Sequence, residues 1–582
     1  MSLKTMALPI VVALTLSPAA LRAQGPGAPP SRAARLSYVY GRVSFLPSGD
    51  TSWVDATLNY TITTGDRLYT DQGSRSELEV GPAALRLAAE TDVTVTNLTD
   101  QLIQMGINQG TIRLSVYDLL PGDSIELDTP NGALTLLRAG NYRVEVRPND
   151  DVTLVTVDDG TLEVTGGGQA YRVRTGRAVR LVGDAQQEEV AMAPPTSFDD
   201  WSGERDRHYA SSTSVRYVSR DIPGYDELDD HGRWEDLPDG PVWYPTDVPP
   251  GWVPYRYGRW SWVEPWGWTW IEEERWGYAP FHYGRWAYVG SRWGWYPGPV
   301  IRRPCYAPAL VVFVGGYYPS AASVTIVEGG VQAWVPLGPR EAYEPWYHHD
   351  DEYLRRVNVT NVRGVRDGEG FTHQVLNVHY VNQSLATTAV SGAVFRRGQP
   401  IGREALRLEP NEASRGRIIP HPTVVPAATA VGGGRVPIPA PRPQPRVEHE
   451  AGIASGRGAG VPGRPPVSSP PPPPSAQPPA ALQQGPRPRP RPATEAGSAA
   501  EPRLVRKLEP PPANPPFAAR EQAMQEHPGR PLEPQQVQRL REGRPAGPMR
   551  DAERVPHGQA PANAPPPPPA KEPSRSDKER KR

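Results

Sequence analysis

The residues with the greatest capacity for contact chemistry are tryptophans: 12 of the 16 in this 582-residue chain fall between Gly232 and Pro297, against only 7 phenylalanines overall. Such a block can act in two ways. The faces of Trp260, Trp262, Trp268, Trp270, Trp286, Trp293 and Trp295 could stack on sugar rings, or the rings could fill a core. Ordering the backbone of this stretch costs more than even complete burial of its rings returns. The block must therefore keep most rings inside and lean on neighbouring apolar residues, leaving two or three exposed for a ligand. Arg233, Arg259 and Arg285 each precede a Trp, where they can stack on rings of adjoining units or lie solvated at the surface.

Other reactive types are present without the spacing that chemistry needs. His348-His349-Asp350-Asp351-Glu352 has metal-ligand chemistry, but adjacent residues on an extended chain point apart and no second cluster completes a shell. His373 and His379 are six apart and would share the wet face of extended chain whose other face carries Leu376, Val378 and Tyr380, a strand being expected from Val375 to Val381. Glu272-Glu273-Glu274 and Asp229-Asp230 supply carboxylates, whereas glycoside chemistry needs two held across a cleft. Cys305, near Arg302 and Arg303, reads as a lone inert thiol. There is no Gly-x-Ser-x-Gly, Walker or His-Glu-x-x-His motif. The expectation is a non-enzymatic protein with no catalytic residue, metal or cofactor.

The tryptophans are positioned by a repeat. Gly-Arg-Trp occurs at 232–234, 258–260 and 284–286, offsets of 258 − 232 = 26 and 284 − 258 = 26. Three 26-residue units over 232–309 follow. In the second, Trp260 and Trp262 share one strand face, Glu264-Pro265-Trp266-Gly267 turns, and Trp268 and Trp270 share a face on the return, as in a β-hairpin with facing aromatic pairs. The third offers Trp286 and Tyr288, then Trp293 and Trp295; the first offers Trp234 and Trp243. A meander of three hairpins is expected inside a Trp/Tyr-rich β domain over 196–410, with further strands at Val311-Val-Phe-Val314 and Ser323-Val-Thr-Ile-Val327.

Before it, residues 36–185 alternate apolar and polar in short runs divided by glycines, such as Gly110-Thr-Ile-Arg-Leu and Gly160-Thr-Leu-Glu-Val. The pattern predicts an all-β domain, a curled sandwich or a solenoid-like stack, with one face of each strand buried and one wet. The segment Phe198 to Tyr209 has helical spacing, placing Phe198 and Trp201 on one side, and is expected to dock the two β regions.

Trp53, Gly65-Asp66-Arg-Leu, Thr70, Ser74-Arg75, the Gly110 strand, Asp128-Thr-Pro-Asn-Gly132, Gly140-Asn-Tyr-Arg-Val and Val157-Asp-Asp-Gly160 fall in an order that resembles the FecR domain. FecR proteins proper join this periplasmic domain to a membrane helix and a cytoplasmic segment controlling a sigma factor. Here a signal peptide precedes it instead, so the resemblance implies the fold in an exported setting and leaves a sigma-factor link open. The run from Phe198 onward resembles an uncharacterised Trp- and Tyr-rich bacterial domain often found behind FecR, which adds architecture and no mechanism.

Residues 1–23 read as that signal peptide: Lys4, an apolar run from Leu8 to Leu16, then small residues to a cleavage point near Ala23. No later run is long enough for a transmembrane segment in the mature chain. Residues 411–582 hold most of the 72 prolines, and the polyproline runs at 470–474 and 565–569 read as a disordered tail with short transient helices at 518–526 and 533–541. A net charge of −1 and export both argue against nucleic acid as a partner. The expected protein is periplasmic or secreted, a sensor or scaffold that binds an envelope protein. The alternative is a polysaccharide-binding or polysaccharide-processing protein using exposed tryptophans.

Overall fold

The computed structural model describes residues 28–183, 186–316, 320, 330–362, 375, 378–441 and 504–547. The signal peptide, the strand expected at 323–327 and His373 lie outside these.

The N-terminal domain is a sandwich of two sheets. One runs, in pairing order, Thr61–Ile62, Ala34–Tyr40, Arg75–Val80, Ala83–Leu87, Leu102–Val116, Gly140–Arg147, Val152–Asp159, Arg177–Val182, Gln186–Val190. The other runs Pro437–Ile438, Trp53–Asp55, Val43–Leu46, Arg67–Thr70, Asp92–Leu98, Leu102–Val116, Ser124–Asp128, Ala133–Leu136, Thr161–Gly166, Gln169–Arg174. Strand Leu102–Val116 belongs to both: residues 102–109 pair in the second sheet and 110–116 in the first. It changes sheets at Gly110, where φ is +87° and a β-carbon would lie 2.5 Å from Thr91 Cα. Only glycine makes that corner. Ile103, Met105, Ile107, Ile112 and Leu114 point inward from the two halves, so one strand seeds both walls of the core.

Helix Ser197–Ser211 docks on the outer face of the first sheet. A capping box between Thr196 and Asp199 starts it. Cross-strand neighbours Glu77, Arg86, Arg113 and Arg143 form a charged row across four strands, and the helix reads it: Asp199 accepts from Arg113 (2.7 Å) and Arg143 (3.0 Å), Asp206 from Arg86 (2.7 Å), while Arg205 donates to Glu77 (2.7 Å). Trp201 packs on Tyr38 with Arg75 over its ring.

The three hairpins form as expected, over Gly232–Leu237 with Gly240–Pro245, Gly258–Val263 with Gly267–Glu272, and Arg285–Val289 with Arg292–Tyr296. They do not form a meander. Trp243 pairs with Trp295, joining the first and third into one four-stranded sheet, and the second stands as its own two-stranded sheet. A further sheet, ordered Thr388–Ser391, Val331–Pro336, Val311–Gly315, Arg417–Ile419, closes over the central hairpin, with Phe313 and Trp334 on Trp260. No strand forms across the described residues 378–381.

The folded part extends beyond the expected boundary at 410. Arg417–Ile419 completes that sheet and Pro437–Ile438 adds an edge to the N-terminal domain. Farther on, residues 504–547 lie as a strap across both domains, with helices Phe517–Met524 and Pro534–Arg541 near the expected places but packed, Phe517, Met524 and Leu532 being buried.

Candidate functional site

The candidate aromatic row is inside the protein. Trp260, Trp268, Trp270 and Trp295 are 0% exposed, Trp262 and Trp286 1%, and Trp293 6%. Facing pairs Trp260↔Trp270 and Trp262↔Trp268 meet edge to face at 5.5 and 5.4 Å. No face in the row is left for a sugar ring, which corrects the reading of these seven as ligand-binding aromatics.

The repeat carries a packing rule instead. In each hairpin the indole of the returning strand lies over the glycine of Gly-Arg-Trp: a β-carbon at Gly232 would sit 2.2 Å from Trp243, at Gly258 2.6 Å from Trp270, and at Gly284 2.4 Å from Trp295. The Trp243 and Trp295 indoles donate to the carbonyls of Leu228 and Tyr283, and Trp270 donates to the Glu272 carboxyl. The three arginines do not stack on rings. Arg259 donates to the Gly433 carbonyl, Arg285 to the carbonyls of Glu341 and Gly284, and Arg233 is exposed.

The remaining sequence candidates are structural in their surroundings. Glu272 is buried, and burial pushes its carboxyl well above the usual range, while Glu273 faces Arg259. Asp229 accepts from Thr213 and Ser214. Asp350 caps helix Asp351–Asn358, His349 faces the Tyr347 carbonyl and His348 reaches Glu533 on the strap at 3.1 Å. His379 is exposed. Cys305 is buried, which pushes its thiol up and away from reactivity. Among the described residues no group of His, Cys, Asp and Glu is arranged to hold a metal ion, and no helix is long and apolar enough to cross a membrane.

A site that sequence reasoning missed lies on the outer face of the second sheet. Parallel pairing sets Gln104 beside Glu126 and Gly106 beside Asp128; Thr135 and Glu163 continue the first row. Their inward neighbours Ile103, Met105, Ile125 and Leu127 are core, so alternation alone turns these polar residues outward. Residues Leu504 to Leu508 cover them. Val505 N–H donates to the Thr129 carbonyl (2.9 Å), Lys507 and Leu508 N–H both donate to Glu126 Oε1 (3.2 and 3.1 Å), and Gln104 Nε2 donates to the Leu508 carbonyl (2.9 Å). Arg506 lies 3.7 Å from Asp128 and Lys507 Nζ 3.3 Å from Glu163. A β-carbon at Gly106 would lie 2.7 Å from Leu504 Cδ1, so the glycine leaves room for that side chain.

This face is strongly acidic for its burial. Glu126 and Asp128 are 0% exposed under the strap with their carboxyls within hydrogen-bond reach of each other, and Glu126 Oε2, Asp128 Oδ1, Gln104 Oε1 and Thr135 Oγ1 are buried with no other hydrogen-bond partner. Burial, reinforced by Glu126, pushes Asp128 up to about 8 against the pull of Arg506 and Gln104. The arrangement reads an extended backbone through Glu126, Gln104 and Thr129 and two adjacent basic side chains, one at the Glu163 carboxylate and one beside the Asp128 carboxyl. The available signal was the alternation Ser124-Ile-Glu-Leu-Asp128, which puts two acids on one face.

Residues 225–341, 117 of 582, match a family of unknown function, DUF6600. No curated protein matches the chain. Two crystal structures of a "putative anti-sigma factor" from Parabacteroides distasonis ATCC 8503 are similar to part of it at 14% and 13% identity, covering 31% of this chain and 99% of theirs at a TM-score of 0.20. At that TM-score the likeness carries no argument about function.

Proposed function

We propose that this is a non-enzymatic protein of the bacterial cell envelope, exported by its N-terminal leader, which acts as a scaffold or sensor by binding another protein through its FecR-like β domain. The supporting observation is the enclosure of the Trp row: rings that would serve a polysaccharide-binding protein as platforms instead weld the hairpins, the sheet beside them and the strap into one body. A body built this way presents its surfaces rigidly, as a scaffold requires. The test is a pull-down from envelope extracts with the full-length protein, run beside a glycan array. The expected result is retention of protein and no glycan signal. Glycan retention abolished by Trp293→Ala, with the melting temperature preserved, would overturn the reading.

A further inference from the structure

We propose that the outer face formed by Gln104, Glu126, Asp128 and Glu163 is a binding site for an extended peptide of another protein, bearing two adjacent basic residues between aliphatic ones, and that Leu504 to Leu508 holds this site in cis. The proposal rests on the protein-binding reading above and names its site.

The seated segment shows what the face recognises. Three of its backbone N–H groups and one carbonyl are engaged, so the face selects an extended main chain whatever its source. Its side chains are Leu, Val, Arg, Lys and Leu, with the two cations turned to Asp128 and Glu163 and Leu504 set over Gly106.

The fit is incomplete, and this separates a placeholder from a permanent part of the fold. Arg506 stands 3.7 Å from its carboxylate and remains 38% exposed, and Lys507 is 42% exposed. Beneath them, Glu126 Oε2, Asp128 Oδ1 and Gln104 Oε1 have no donor or acceptor from the strap. A buried polar atom without a partner costs free energy that a better-matched ligand recovers. An incoming peptide whose arginines reach these oxygens in bidentate fashion would displace the internal segment.

The test uses full-length protein and a fluorescent synthetic peptide carrying the sequence of residues 502–510 as probe. Arg506→Glu with Lys507→Glu weakens the internal segment, and binding of the probe is expected to tighten at least tenfold over wild type, to weaken with added salt, and to weaken again when Glu126→Gln removes the charged acceptor of its two N–H groups. A probe with the residues equivalent to Arg506 and Lys507 replaced by glutamate should not bind. In wild type, saturating probe should increase hydrogen exchange at the Val505, Lys507 and Leu508 amides, a readout that needs no variant to fold. Equal affinity in wild type and the double variant, or indifference to Glu126→Gln, would overturn the proposal. Envelope proteins still captured by the Glu126→Gln protein would leave the scaffold reading standing and place its partner elsewhere.

Discussion

Arg520, on the strap, donates to Glu264, at the tip of the central tryptophan hairpin, at 2.5 Å and across 256 positions of chain. Glu264 also accepts from the Trp262 indole at 3.0 Å, so one carboxylate ties the strap to the aromatic core. Arg520 is 1% exposed and cannot turn to solvent when its partner is lost.

Glu264→Ala therefore leaves a buried guanidinium uncompensated and should cost about 2–4 kcal/mol, measured by denaturant unfolding. Arg233→Ala, at an exposed arginine, should stay within about 0.5 kcal/mol. Deleting residues 504–582 should lower the melting temperature by several degrees, because Phe517, Met524 and Leu532 lose their seats. An unchanged melting temperature would show that the strap contributes nothing to the folded body.

The repeat glycines give a graded series. Gly258→Ala puts a β-carbon 2.3 Å from the Ile271 carbonyl oxygen and 2.6 Å from Trp270, neither of which can yield without breaking the hairpin. A loss of about 2–4 kcal/mol is expected, and a similar one for Gly232→Ala. Gly290→Ala, in the turn of the third hairpin with φ +58° but open space around it, should cost only about 1 kcal/mol. Equal losses at all three sites would mean that indole-on-glycine packing is not what the repeat preserves.

Asp128 makes a pH prediction. Its folded pKa of about 8 lies above its ordinary value of 3.8, so between those limits the folded protein binds a proton that the unfolded chain releases. Its contribution to stability is present in full below pH ~4 and is lost as pH rises through about 8. Asp128→Asn carries no such proton, so its melting temperature relative to wild type should rise steadily from pH 4 to 8.5. A constant difference across that window would show that Asp128 is ionised under the strap.

Asp199 joins local and tertiary roles. Asp199→Ala removes half of a capping box and the shared acceptor of Arg113 and Arg143. The expected cost is about 2 kcal/mol by denaturant unfolding, with Asp200→Ala, on the exposed side of the same turn, as the control. Losses of equal size would place the effect in the helix N-terminus and not in its docking.

What the residues alone determined is local. Strand period set Trp260 against Trp270 and Trp262 against Trp268 around the turn at Glu264-Pro265-Trp266, the repeat marked where each hairpin starts, and alternation turned Glu126 and Asp128 away from the core. Helical spacing and the Thr196–Asp199 box placed Ser197–Ser211. All of these follow from interactions between residues close in sequence or directly opposed in a hairpin.

Tertiary structure decided which equivalent units associate. The three hairpins carry the same signal, so nothing local says that Trp243 pairs with Trp295 while the central hairpin stands alone; that choice belongs to the sheet that closes over Trp260. Burial of Arg259 and Arg285 depends on carbonyls supplied by Gly433 and Glu341, far along the chain. The strap shows the limit most plainly. Its proline-rich composition has too few apolar residues to order itself, and Phe517, Met524 and Arg520 become fixed only against pockets and a carboxylate that exist once both domains are assembled.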